Sequence, residues 1–434
     1  MNTILKNAKT IVLSPPTIRE CDIRISEGEI ASVASHLKPV RGEETVDLAG
    51  KIVMPGFVCS HTHLYSSLSR GMPAPAGAPK NFFEILNKIW WRLDEALDEE
   101  SIYYSALAGS IESVKFGTTT FIDHHASPNH IRGSLDIIKE AMSRVGVRGI
   151  LCYETTDRGG VKRRDLGLEE NERFLTENTS NSHFRGAIGA HASLTLGDDS
   201  LRKLGELAEL YDSGVHIHVA EDNVDVLDSE KRYKLALTER LKKFGILRKK
   251  SILAHAVHLT QAQFKDVERT GAWLIHNPRS NMNNAVGYAP LNWFGARSSL
   301  GTDGFPADLF EEARIGYFRN AESDFRTEFC RLPVMLHTGQ KLVSEYFGRP
   351  FGTLAEGSPA DIVVLDYNPP TPLRTKNLYG HFLFGMTSAS VQHVMVDGNW
   401  SVWDRQVLGL DERAVMEKAA KVATRLWHKM GRSH

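Results

Sequence analysis

One recurrence constrains this chain more than any other feature. Eight short hydrophobic runs each end in, or lead directly into, a residue able to bind metal, move a proton or orient a substrate. The clearest are His61-Thr62-His63, His218-Val219-Ala220-Glu221, His255 and Gly301-Thr302-Asp303-Gly304. Such a pattern needs strands that all point one way and deliver their C-terminal ends to one place. A TIM-like (β/α)8 barrel of the α/β class does this and builds its site at that face. The strand candidates are Gly56–Ser60, Thr118–Asp123, Val147–Tyr153, Ala187–Ala190, Val215–Val219, Ser251–Ala254, Ala272–Ile275 and Ser298–Gly301. Stretches between them carry helical spacing, and Thr260-Gln261-Ala262-Gln263 has the form of a capping box that opens the sixth barrel helix.

The two ends of the chain have a different texture. Ile11–Leu13, Cys21–Ile25 and Glu29–Val33 are short β candidates, with a hairpin turn at Ser26–Glu29. The same texture returns at Ala360–Asp366 and Val391–Gly398. The expected organisation is a small β-sandwich built from both ends, residues 1–54 and 348–408, around a barrel at 55–347. A final helix occupies 409–434, with Asp411 as its N-cap and Val415, Ala419, Val422, Leu426 and Met430 on one face.

Composition narrows the partners. Basic and acidic residues balance at 52 against 53, so nothing attracts nucleic acid or an anionic membrane. The four cysteines are dispersed and form no CxxC pair, as in reduced cytosolic proteins. With neither a signal-peptide pattern nor an apolar stretch of membrane-spanning length, the expected location is the cytoplasm.

Residues two apart in a strand face the same side, so His61 and His63 can reach one cation. His218 closes an apolar strand, and Glu221 lies just past it, where a general acid/base belongs. Asp303 sits in a glycine-flanked turn after the last strand; a carboxylate there can complete a metal shell and accept a proton from water. His255 can polarise that water without being a ligand, and His216 reads as a packed interior histidine. Imidazoles and a carboxylate suit one divalent ion, Zn²⁺ first and Fe²⁺ as alternative, with a position left open for water. The expected chemistry is attack of metal-bound hydroxide on an sp² carbon, with Glu221 protonating the leaving nitrogen.

These residues, together with Pro55-Gly56-Phe57-Val58, Gly117-Thr118-Thr119-Thr120, His276-Asn277-Pro278-Arg279-Ser280-Asn281 and Gly357-Ser358-Pro359-Ala360-Asp361-Ile362, carry a family resemblance over nearly the whole chain. The chain resembles the amidohydrolase superfamily, in its mononuclear aminohydrolase branch of cytosine, guanine and S-adenosylhomocysteine deaminases and triazine hydrolases. It is most similar to the aminohydrolase group SsnA. The resemblance implies His61, His63, His218 and Asp303 as metal ligands, Glu221 as proton shuttle and His255 as orienter of the nucleophile. It also implies a split β module and a homodimer. Binuclear relatives carry a bridging lysine at the end of the fourth strand. Here Ala187-Ile188-Gly189-Ala190 leads to His191, which points to one metal and makes His191 a substrate contact.

Other substrate-facing candidates are His124 and His125, Glu154, Arg279, and Trp91 in the long first loop from His63 to about Leu97. Trp90 and Trp91 could equally pack against the barrel or a partner subunit, and Glu154 and Arg279 could form structural ion pairs. Arg158 to Arg164 reads as a solvated charge run on a loop. The leading expectation is hydrolytic deamination of a purine-like or other nitrogen heterocycle. A second keeps the site but hydrolyses a cyclic amide or expels a non-amino group. A third, a barrel holding metal without turnover, leaves Glu221 with no use.

Overall fold

The computed structural model describes residues 2–73, 77–324 and 328–431. Eight parallel strand positions form the barrel. They are β1 (Phe57–Thr62), β2 (Thr118–His125), β3 (Arg148–Tyr153), β4 (Phe184–Gly186 continuing as Ile188–Ala192), β5 (Val215–Val219), β6 (Ile252–His255), β7 (Trp273–His276) and β8 (Ser298–Leu300). Regular pairing runs β1 to the first part of β4, and from the second part of β4 to β8. Backbone hydrogen bonds close both gaps: Ala187 N donates to Leu151 O, and Thr302 N and Asp303 N donate to His61 O. The strands are buried on both faces, as a barrel filled inside and wrapped by helices requires.

Closure between β1 and β8 depends on Gly301. A Cβ there would lie 2.4 Å from Asn277 Oδ1 and 2.8 Å from the His61 carbonyl oxygen. Only glycine lets the two backbones approach this closely.

The residues at the two chain ends meet in one nine-stranded sheet. Its joint is Ile52–Pro55, which pairs parallel with Thr3–Leu13 and antiparallel with Ile362–Leu365. Hydrogen bonding is therefore continuous through the β module that both chain ends build. The sheet has its own apolar core, including Leu5, Ile23, Ile25, Val53, Ile362 and Val364. Arg148 at the start of β3 ties it to the barrel: fully buried, its guanidinium reaches Asp361 at 3.2 Å and Asp397 at 3.4 Å. The closing helix, Glu412–Met430, is capped by Asp411, whose side chain accepts from Ala414 N at 3.0 Å. Among the described residues, no helix is long and apolar enough to cross a membrane.

Candidate active site

The site is assembled at the C-terminal ends of the strands, where the backbone bends sharply. Ala220, His255, Ala256 and Asp303 all take positive φ, between 48° and 78°. Non-glycine residues adopt that region at a cost, and it recurs here at the ends of β5, β6 and β8.

Each imidazole is anchored by one nitrogen and leaves the other free. His63 Nδ1 donates to the His124 carbonyl at 2.6 Å, and His218 Nδ1 to the His191 carbonyl at 2.9 Å. His61 Nδ1 is hydrogen-bonded to His216 Nε2 at 2.8 Å, so the interior His216 positions His61. The free Nε2 atoms of His63 and His218 face one another at 3.2 Å, and Asp303 Oδ1 lies 2.9 Å from the former and 3.5 Å from His61 Nε2. His61 Nε2 and His255 Nε2 are buried and have no hydrogen-bond partner among the described residues. Imidazole nitrogens and a carboxylate turned toward one another fit a divalent cation. Against the effect of burial, the Asp303 carboxylate raises the His63 pKa to about 9, so His63 gives up a proton on binding such an ion. His61, His218, His255 and Asp303 form one group able to hold such an ion, and His61, His63, His124 and His218 another. Burial lowers the His61 pKa to about 3, which keeps it in the neutral, metal-binding form.

Glu221 stands beside this cluster. Its Oε2 lies 3.6 Å from His255 Nε2, and its Oε1 accepts from Asn284 Nδ2 at 3.1 Å. Burial raises its pKa to about 7, into the range useful for proton transfer. The short helix Pro278–Asn283 after β7 supplies further support. Ser280 Oγ donates to Asp303 Oδ2, and Asn281 Oδ1 is hydrogen-bonded to His255 Nδ1 at 2.8 Å. The motif containing Ser280 and Asn281 is visible in the sequence, but their roles, and that of Asn284 at the end of the same turn, are not.

The pocket above the cluster is lined by Phe82, Leu86, Trp90 and Trp91 from the first loop and by Asp94, Glu154 and His191. His191 Nδ1 is 2.7 Å from Thr195 Oγ1. That hydroxyl donates to Ala192 O at 3.1 Å, so it accepts from His191 and leaves Nε2 as an acceptor. Asp94 is buried with Oδ1 unpartnered, a pocket residue that no sequence signal singled out.

Three expectations are corrected. Arg279 does not line this pocket, because its helix turns it outward into ion pairs with Glu311 and Glu312. His124 and His125 are not on the pocket wall either. Alternation along β2 sends His124 inward, where its Nε2 donates to His216 O at 3.2 Å. His125 is hydrogen-bonded to Ser127 and packs against Tyr65 and Tyr153. Arg158 to Arg164 is not a solvated loop. Arg158 stacks over Trp91 and reaches Asp94 at 3.1 Å, a helix runs from Gly160 to Glu177, and Arg164 is buried against Asp165 and Asp199.

Barrel and cluster together define a hydrolase of the (β/α)8 class that gathers histidines and a carboxylate at one centre. More specifically, the chain belongs to the amidohydrolase family, whose profile matches residues 52–401. It is 28% identical over 412 residues to a 5′-deoxyadenosine deaminase from Methanocaldococcus jannaschii, covering 92% of this chain and 95% of that one. It is 27% identical over 446 residues to a 5-methylthioadenosine/S-adenosylhomocysteine deaminase from Caldanaerobacter subterraneus, covering 98% and 99%. In fold it matches an adenosine deaminase from Xanthomonas campestris with bound zinc, at TM-score 0.85, 20% identity and 98% coverage of both chains. It also matches the zinc complex of an atrazine chlorohydrolase from Arthrobacter aurescens, at TM-score 0.82, 20% identity and 97% and 100% coverage.

Proposed function

We propose that this protein is a hydrolytic deaminase of an adenine-type nucleoside or related nitrogen heterocycle. Water replaces a ring amino group, and ammonia leaves. The observation that carries the reading is the set of buried imidazole nitrogens and Asp303 facing one point, with a carboxyl group of proton-transfer pKa beside it. In this reading His61, His63, His218 and Asp303 hold one divalent ion, with Zn²⁺ as its identity. The ion supplies Lewis-acid activation of the attacking water.

The chain's own residues do the rest. Ser280 orients the Asp303 carboxylate, which takes a proton from the nucleophile. His255, whose Nδ1 donates to Asn281, turns Nε2 as an acceptor toward the nucleophilic water and orients it for attack. Glu221, held by Asn284, carries a proton to the leaving nitrogen. His191 presents Nε2 to the ring, and Trp91 supplies an aromatic face for stacking. The unpartnered Oδ1 of Asp94 is free to accept from a sugar hydroxyl. Pocket-lining Glu154 reads a ring substituent from beside His191.

No lysine or arginine lines the pocket among the described residues, which favours nucleosides over nucleotides. The similarity to 5′-deoxyadenosine and 5-methylthioadenosine/S-adenosylhomocysteine deaminases points the same way. We further propose a cytoplasmic homodimer, which light scattering of the purified protein tests. The function is tested by ammonia release across a panel of adenine nucleosides, guanine and amino-triazines with zinc-loaded protein. Product formation without ammonia would instead favour a cyclic amide or another leaving group.

A further inference from the structure

A second cavity, of about 260 Å³, lies behind the substrate pocket. The two share His63, Ser66, Trp90, Asn284, Asp303 and Gly304 in their walls. Trp90 and Ser66 close over Gly304, where an added Cβ would lie 3.4 Å from the indole and 3.5 Å from the hydroxyl, so these residues form the partition. From there the cavity runs to exposed Arg70 and Asn283.

One row of its lining is made of hydroxyl side chains. Thr62 donates its hydroxyl hydrogen to Asp303 O, Ser67 to Leu64 O and Ser69 to Ser66 O. Ser66 donates to His63 O, and Ser280 to the Asp303 carboxylate. Each of these hydroxyls has spent its one hydrogen on the protein and retains only acceptor capacity. Leu64, Trp90, Phe305 and Pro306 also line the cavity, and Asn283 and Asn284 add amide groups. A space of this size has room for water, and the row of hydroxyl oxygens suits a small guest with N–H or O–H donors. At the outer end the Arg70 guanidinium is paired with Glu112 at 2.9 Å, so the mouth presents no uncompensated cation.

We propose that this cavity is the route by which ammonia leaves and water enters while the ring product still fills the aromatic pocket. The proposal rests on the deaminase reading. In that reaction the water oxygen becomes the ring carbonyl, and the C–N bond breaks with its electron pair going to nitrogen. One water hydrogen completes ammonia and the other goes to the neighbouring ring nitrogen. The small product is donor-rich and forms beside Glu221, and Asn284, which holds Glu221, lines both the pocket and the passage. The bulky product leaves later, past Phe82 and Trp91.

The test uses the zinc-loaded, full-length enzyme with the best nucleoside of the panel. Ser69→Leu narrows the passage midway, and Asn283→Trp covers its mouth. Ser69 touches none of the proposed catalytic groups, whereas Asn283 donates to Asn284 Oδ1 at 3.1 Å, so Ser69→Leu carries the single-turnover comparison. Expected is a fall in steady-state kcat of about tenfold with KM falling in parallel and kcat/KM unchanged, as for a release-limited enzyme. The single-turnover rate of ring conversion should stay at the wild-type value. Unaltered kcat in both folded variants overturns the passage, as does a single-turnover rate that falls in step with kcat. Absence of ammonia release by the wild-type protein would sink the deaminase reading itself, which separates the two failures.

Discussion

Replacing Glu221 by glutamine isolates the proton-transfer step. The amide is nearly isosteric and can still accept from Asn284 Nδ2 through the same oxygen, now 3.1 Å away. On its other side Oε2 lies 3.6 Å from His255 Nε2, beyond a good hydrogen bond, so little binding energy is lost there. What the variant loses is the capacity to carry a proton to the leaving nitrogen. A positioned general acid/base contributes about 10²–10⁴-fold, which corresponds to roughly 3–5.5 kcal/mol of transition-state stabilisation at about 1.4 kcal/mol per tenfold. Glu221→Gln should therefore lower kcat by that factor and leave nucleoside KM within about threefold. Zinc content per chain by atomic emission and the thermal midpoint should both stay at wild-type values. Asn284→Ala provides a graded comparison: it removes one hydrogen bond to a charged group, worth about 1.5–3 kcal/mol, and should lower kcat less than the direct replacement. Turnover retained by Glu221→Gln would remove Glu221 as proton carrier. Lost zinc would mean instead that the side chain serves the metal centre.

Three further outcomes follow from geometry. Dialysis against a chelator should abolish turnover, with recovery on adding Zn²⁺; the loaded protein should be more stable by about 2.7 kcal/mol at a metal concentration one hundred times Kd, read from urea midpoints. Activity that survives complete metal removal would refute the ion's role. Arg148→Met should destabilise the fold by about 3–5 kcal/mol, because it strands buried Asp361 and severs the barrel from the terminal sheet; a urea midpoint within error of wild type would show that the ion pair does not hold the two together. Gly301→Ala should weaken zinc retention at least as much as global stability, since the added Cβ collides with His61 and Asn277 at the β1–β8 closure; competition with a chromogenic chelator measures it, and unchanged affinity would refute the coupling.

Hydrophobic periodicity and strand-end chemistry make the barrel legible in the sequence. Val215–Val219 is the same span in sequence and structure, and Ser298–Gly301 shortens by one residue only because Gly301 turns to meet β1. The convergence of His61, His63, His218, His255 and Asp303 was equally readable, because parallel strands bring remote residues to one face whatever the loop lengths. Side-chain direction beyond the strand ends was not readable. Arg279 follows β7 as closely as Asp303 follows β8, yet proline at the first position of a new helix turns it toward Glu312, 33 residues on.

The same limit explains the substrate side. Asp94 and Arg158 are 64 residues apart and meet only because the first and third loops cross above the barrel. Neither carries a local pattern that distinguishes it from a solvated surface charge. Their pairing beside Trp91 nevertheless holds two residues of the pocket wall, Asp94 and Trp91. The metal centre is specified by strand periodicity, which a single chain displays openly. Specificity is specified by loop-to-loop contacts, which it does not. Replacing Asp94 or Trp91 should therefore shift substrate preference while the strand-end histidines stay in place, which relative kcat/KM across the nucleoside panel measures.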